Sequence, residues 1–268
     1  MDKKFCVFTV SRGCEDINDW VNYYINLGFD RIFIVDNNDK DKKYNINNEK
    51  VITIENNSIH HSTQLREFIQ SVLKNDYNYD YLLVCDDDEF LNLGEYKDIR
   101  EFVNDYSDYD SISFRWDILN DNGYIYISDE PEHKSLREIY KTSSGKRDAV
   151  KTMYKLPKEY SKFNDALIKT RPKYNTVHKI NYGKEIEIPV DICDMKHYIT
   201  YCMERFLIKK ANYIFTYNYL HESHLRYFLS FNEYSDEKCK AYVELCKKYG
   251  LTISKIDKEI LDEHNISY

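Results

Sequence analysis

The chain has 268 residues, long enough to bury a full core, and its formal net charge of -8 lacks the basic footprint of a nucleic-acid binder. Its seven cysteines, an odd number without paired short spacings, argue against a disulfide framework and against a cysteine zinc site. No apolar run nears the roughly 18 residues of a membrane span, so the expectation is a soluble cytoplasmic protein with reduced thiols.

In chain order, residues 5–10 form a compact apolar run that reads as a buried first strand. Ile17, Trp20, Val21, Tyr24 and Leu27 recur at helical spacing, with Asp16 and Asp19 at the start and Gly28 as the stop. Residues 31–35 read as a second buried strand ending at Asp36, and 51–54 as a third. Leu65, Phe68, Ile69, Val72 and Leu73 mark a second helix, and 81–85 the next strand. This alternation predicts an α/β fold with a largely parallel sheet. Further on, the pattern predicts a helix over 96–104 and strands over 111–116, 124–127 and 149–156. A helix follows Thr200, and another runs from Ser235 to Gly250 with Lys247 and Lys248 in its last turn. The expected organisation is one catalytic domain over 1–210, with a helical extension over 211–268 packed on it.

The most informative stretch is Asp86-Asp87-Asp88-Glu89, set between the apolar strand ending at Cys85 and the apolar pair Phe90-Leu91. Four adjacent carboxylates repel one another, so water or a cation must compensate them. The carboxyl ends of strands are where open α/β sheets bind ligands. Alternating oxygen donors such as Asp86 and Asp88 suit a hard divalent ion, Mg2+ or Mn2+. The alternative is a surface turn of capping acids.

The order of these pieces resembles a known family. Trp20-Val21-Asn22-Tyr23-Tyr24, followed by Leu27-Gly28-Phe29-Asp30 and Val35-Asp36-Asn37-Asn38, is similar to the opening of GT-A glycosyltransferases of the family-2-like and family-92-like type. Asp86-Asp87-Asp88-Glu89-Phe90 resembles their D-x-D-E-F block. Residues 116–123 and 149–152 fit two later segments, and Lys196-His197-Tyr198 with Glu204 and Phe206 resembles their His-Tyr block. The chain departs from the pattern at Ser11-Arg12-Gly13, at Tyr24, at Leu119-Asn120-Asp121 and at Thr200-Tyr201.

The resemblance implies a Rossmann-like, mostly parallel GT-A sheet with a helical C-terminal part. It implies inverting transfer of a sugar, such as a hexose, from a nucleotide-diphospho-sugar (a UDP-sugar foremost) to a saccharide or glycoconjugate acceptor. His197 would join Asp86 and Asp88 as a third ligand of Mn2+ or Mg2+. Asp36 would meet the nucleotide base or ribose, or else is a loop-starting acid. Arg12, Asn37 and Asp87 lie in the same donor-binding segments. Lys151 would contact donor phosphates or acceptor, or is a solvated strand lysine; Gln64 is a donor-site residue or a helix-surface glutamine. The catalytic base would be Asp121, with Asp117 and Asp148 as rivals. Two other readings are a metal-dependent nucleotidyltransferase, which calls for a glycine-rich phosphate loop after the first strand, and a carbohydrate- or Ca2+-binding domain without catalysis. The tail could shape the acceptor site, pair with another subunit or touch a membrane surface, beside ordinary helix packing.

Overall fold

The computed structural model describes residues 2–39, 42–55, 78–158, 161–162, 183–214 and 223–268. Among them the elements run β1 (Phe5–Ser11), α1 (Ile17–Asn26), β2 (Arg31–Asp36), β3 (Val51–Glu55), β4 (Tyr81–Val84), β5 (Glu89–Asn92), α2 (Ile99–Asp105) and β6 (Ser111–Leu119). There follow α3 (Leu136–Ile139), β7 (Ser143–Lys155), β8 (Glu185–Glu187), β9 (Asp194–His197), α4 (Met203–Ile214), α5 (His224–Leu229), α6 (Asp236–Tyr249) and α7 (Lys255–Glu263). The helix expected around Leu65 lies outside the described residues.

The strands make one sheet in the order β3-β2-β1-β4-β7-β6-β9-β5, with β8 beside β6. β1 pairs in parallel with β2 and with β4, β2 with β3, and β6 with β8, while β4 and β7 run antiparallel. The architecture is therefore α/β with a mostly parallel sheet and flanking helices, as the alternation of elements predicts.

Two compact units divide the chain. The first comprises Met1–Trp116 with Lys146–Lys196, the second Asp117–Gly145 with His197–Tyr268.

In the first unit every side chain of β1 is buried, which is why its sequence reads as an unbroken apolar run. Cys6, Phe8 and Val10, alternate residues, share one cluster with Phe33, Val35 and Leu82. The parallel register sets Ser11 opposite Asp36 and Phe8 opposite Val84. The carboxyl ends of β1, β2 and β4 consequently open on the same edge. Helix α1 buries Ile17, Trp20, Val21 and Tyr24, and the chain turns away at Gly28, whose φ of +99° suits glycine.

In the second unit α4, α5 and α6 surround a core that includes Met203, Phe206, Leu225, Phe228, Tyr242 and Leu245. Helix α6 carries all its predicted signals. The Ser235 hydroxyl accepts from the Lys238 amide, Lys247 and Lys248 fill the last turn, and Gly250 takes the left-handed conformation. Two expectations need correction here. Residues 124–127 are not a strand: they lead into a short 3-10 turn, Ile127–Asp129, closed by Asp129 accepting from the Tyr126 amide at 2.9 Å. Helix α4 begins at Met203 rather than just after Thr200, because Tyr201 sits at a φ of 50° and interrupts any earlier helical turn.

Glu130 anchors this unit, accepting from Arg205 Nε at 2.8 Å, Arg205 Nη2 at 2.8 Å and the Tyr140 hydroxyl at 2.5 Å. Burial alone would raise its pKa, but Arg205 and Tyr140 outweigh that and hold it below the usual glutamate range. A folded-state pKa below the unfolded one gives stability that is present above the unfolded value, about 4.3, and lost as pH falls through the folded value. Wild-type stability is therefore expected to decline below about pH 4.3, and Glu130→Gln to decline less steeply there while being less stable at pH 7. Equal pH slopes in urea unfolding of the two proteins would refute this.

Candidate functional site

The four acids follow β4 directly, near the middle of the sheet. They are not a solvated surface turn. Glu89 is fully buried, Asp87 and Asp88 are nearly so, and only Asp86 keeps 36% of its side-chain surface exposed. The turn is closed from both sides: the Glu89 amide donates to the Asp86 carbonyl at 3.2 Å, and the Asp86 amide donates to Glu89 Oε2 at 2.8 Å.

Helix α1 holds this turn from behind through its aromatic side chains. The Trp20 indole N–H donates to the carbonyls of Asp86 at 3.2 Å and Glu89 at 3.0 Å. The Tyr24 hydroxyl donates to the Glu89 carbonyl at 3.0 Å and accepts from the Leu91 amide at 3.2 Å. Tyr23 donates to the Leu91 carbonyl at 2.7 Å and meets the Phe90 ring edge-on, with centroids 5.1 Å apart. The Trp20-to-Tyr24 stretch therefore serves the backbone of the acid turn. Burial keeps the neighbouring Cys85 thiol protonated, well above its usual pKa, and its Sγ lies 3.3 Å from the Tyr24 hydroxyl as a small packed group.

Charge compensation comes from Lys151 on β7. Its ammonium lies 2.9 Å from Asp86 Oδ2 and 3.2 Å from Glu89 Oε2, and 5.8 Å from the centre of the Trp116 ring. Burial by itself would lower the lysine pKa, but the two carboxylates outweigh it and keep the ammonium charged. The alternative of a solvated strand lysine is corrected: this side chain is 5% exposed.

Asp87 faces the ends of β1 and the loop after β2. The Ser11 hydroxyl donates to Asp87 Oδ2 at 2.5 Å, and the Tyr44 hydroxyl lies 2.7 Å from Ser11 Oγ. With the serine proton given to Asp87, Tyr44 is the donor of that second bond. Tyr44 also accepts from the Cys14 amide at 2.8 Å, and burial, then the nearby Asp87 charge, raises its pKa above the ordinary value. Neither Ser11 nor Tyr44 stands out in the sequence, because their chemistry depends on a chain of contacts between distant segments.

Asp36 is fully buried. Its oxygens accept from the Asn38 amide at 2.9 Å and the Tyr44 amide at 2.8 Å, so it organises the loop after β2 in the manner of a loop-starting acid. Arg12 donates to the Asn37 carbonyl at 2.9 Å and lies 3.3 Å from Asp39. The Gly13 amide donates to Asn38 Oδ1 at 2.7 Å, so the amide of the one glycine between β1 and α1 serves this loop. Gln64 lies outside the described residues.

The three base candidates have other partners. Asp148 is fully exposed, 3.4 Å from Arg115. In the second unit Asp117 accepts from the Ser143 hydroxyl. Asp121 is buried 2.6 Å from the Lys238 ammonium, and its amide donates to Asn232 at 2.6 Å; its carboxylate helps hold the helical core. His197, also in the second unit, is buried. Among the described residues no three His, Cys, Asp or Glu side chains form a group that could hold a metal ion. The described residues also include no helix long and apolar enough to cross a membrane.

No family model matches the chain, and no curated protein matches it. Among solved structures it is similar to a 4-diphosphocytidyl-2C-methyl-D-erythritol synthase from Anaerococcus prevotii DSM 20548, at 11% identity over 72% of this chain and 92% of that one, with a TM-score of 0.34. It is also similar to A197 from STIV, at 15% identity over 73% of this chain and 86% of that one, with a TM-score of 0.32. Likenesses this distant say nothing of the chain's own activity.

Proposed function

We propose that the chain is a GT-A-type glycosyltransferase that moves a sugar from a nucleotide diphosphate, a UDP-sugar foremost, to a saccharide or glycoconjugate acceptor. The observation that carries this reading is the acid turn: carboxylates drawn into the interior at the carboxyl end of a central parallel strand, clamped by α1 and compensated by a buried ammonium. Taking charges out of water is costly, and such arrangements cluster at working sites. Asp86, the exposed member, accepts hydrogen bonds from hydroxyl groups of ribose or sugar. The Ser11–Tyr44–Asp87 chain ties the end of β1 and the loop after β2 to the same turn.

The donor set also suits a divalent cation of modest demands. It is oxygen-only, and the Lys151 ammonium beside Asp86 already marks a position that attracts positive charge. Mg2+ commonly takes one or two carboxylates and completes its shell with substrate phosphates and water, and Asp86 and Asp88 would be those carboxylates. Such an ion, when bound, supplies Lewis-acid stabilisation of the charge developing on a departing diphosphate. The nucleotidyltransferase reading is less well supported, because the Gly13 amide, which a phosphate loop would need, is already used by Asn38.

A thermal-shift panel of nucleotides with and without Mn2+ tests the proposal. UDP or a UDP-sugar with Mn2+, at hundredfold excess over Kd, is expected to add about 3 kcal/mol of stability, and Asp88→Asn to remove the gain while remaining folded. Stabilisation by nucleoside triphosphates with release of pyrophosphate, or none by any nucleotide, would overturn it.

A further inference from the structure

The second unit carries two unrelieved costs at adjacent residues. Tyr201 stands in the left-handed region, at a φ of 50°, where glycine fits without strain and a bulky side chain is an outlier. Its neighbour Thr200 is fully buried, and among the described residues its hydroxyl oxygen has no hydrogen-bond partner. A turn that served the fold alone would cost less with glycine at the first position and valine at the second. Such costs persist where side chains act on something besides the fold.

The strained residue presents an aromatic ring set among others. Tyr201 is half-buried. It stacks on Tyr198 with ring centroids 6.0 Å apart, and meets Tyr140 edge-on at 5.6 Å. Tyr140 is buried, and its hydroxyl accepts from the Cys202 amide at 3.0 Å, which holds the turn in place. Asn122, also left-handed, donates to the Ile139 carbonyl at 3.0 Å and accepts from the Thr142 amide at 3.3 Å, on either side of Tyr140. Residues 119–124 and 198–202, each holding a departure from the glycosyltransferase pattern, thus meet at Tyr140.

We infer that Tyr201 is the specificity-determining residue of a saccharide subsite in this unit. Its ring packs against the apolar C–H face of a pyranose, and the turn, in adjusting to the sugar, gives the Thr200 hydroxyl a hydroxyl partner. Tyrosine suits such a ligand because it offers a rigid apolar face with a polar tip and loses little conformational freedom on binding. Calling that sugar the acceptor rests on the proposed transferase function, but the subsite is measured without it.

The methyl β-glycosides of glucose, galactose, mannose and N-acetylglucosamine are the probes, followed by saturation-transfer NMR and titration. Wild type is expected to bind at least one of them, with the ring C–H protons receiving the saturation. Tyr201→Phe, which keeps the ring, is expected to hold Kd within about twofold, and Tyr201→Gly, which suits the left-handed backbone and so keeps the turn, to raise it at least about tenfold. Thr200→Val is expected to melt no lower than wild type, since it replaces an unpaired hydroxyl by a group of the same shape, and to weaken glycoside binding. No binding of any probe by wild type, equal binding by Tyr201→Gly, or a Thr200→Val protein that melts lower would overturn the inference. If UDP with Mn2+ binds wild type but Tyr201→Gly leaves glycoside binding unchanged, the inference fails and the function stands. If glycosides bind through Tyr201 while no nucleotide binds, the subsite stands and the transferase reading fails.

Discussion

Trp20→Ala is expected to lower the stability of the protein by about 3–5 kcal/mol and to abolish nucleotide-dependent stabilisation. The indole is fully buried, so its removal leaves a large cavity behind the acid turn. It also removes the N–H that both the Asp86 and Glu89 carbonyls accept. Trp20→Phe separates these effects, since it keeps most of the apolar volume and deletes only the donor. It is expected to cost about 1–3 kcal/mol, the usual penalty for buried groups left without their hydrogen bond, and to weaken UDP binding through a displaced turn. Urea unfolding with calorimetry of UDP and Mn2+ checks both. A phenylalanine variant equal to wild type in stability and affinity would show that α1 merely packs beside the turn.

The second large effect belongs to the helical unit. Asp257, in the first turn of α7, is fully buried and accepts from many donors at once. Its carboxylate takes the Leu225 amide at 3.0 Å, the Tyr242 hydroxyl at 2.8 Å, the Ser254 hydroxyl at 2.9 Å and the Ser223 hydroxyl. It thereby ties the start of α5 and the middle of α6 to α7. Asp257→Ala orphans those donors together, and with each worth about 1–3 kcal/mol less than additively, a loss of about 4 kcal/mol or more is expected. Asp257→Asn keeps one acceptor oxygen but points an amide at donors, so it should recover only part. Chemical denaturation measures both; a change below about 1 kcal/mol in the alanine variant, the size of an ordinary exposed substitution, would contradict the hub role.

Parts of this architecture can be read from the sequence because the signals are local. The cap, last-turn lysines and terminal glycine of α6 lie within sixteen residues and specify the helix completely. The buried runs of β1, β2 and β4 show themselves by continuous apolar character, and the acid block by its place at the end of one of them. Strands β5 and β9 are hidden because Glu89 opens one and Asp194 the other, and an acid at a strand end reads as loop. Asp98, which accepts from the amides of Arg100 and Glu101, moves the start of α2 past the point that apolar spacing alone suggests.

The site is legible only in outline. That the acids need compensation by water or a cation follows from electrostatics, and an ammonium stands beside them. That it is Lys151, 65 residues away, follows only from β4 pairing with β7, as does the buried rather than solvated state of that lysine. Asp36 illustrates the converse. The resemblance implies nucleotide contact for it and its place at a strand end a loop-starting acid, and two amides of its own loop donate to its oxygens. Ser11 and Tyr44 carry no motif at all and join the site through hydroxyl contacts that sequence spacing does not encode.

A crystal of the protein grown with UDP and Mn2+, measured at the manganese absorption edge, tests the central claim most directly. The account predicts an anomalous manganese peak within bonding distance of a carboxylate oxygen of Asp86 or Asp88 and of the diphosphate, with the Lys151 ammonium still beside the acid turn. Nucleotide and manganese bound elsewhere, with those carboxylates in contact only with protein and water, would contradict it.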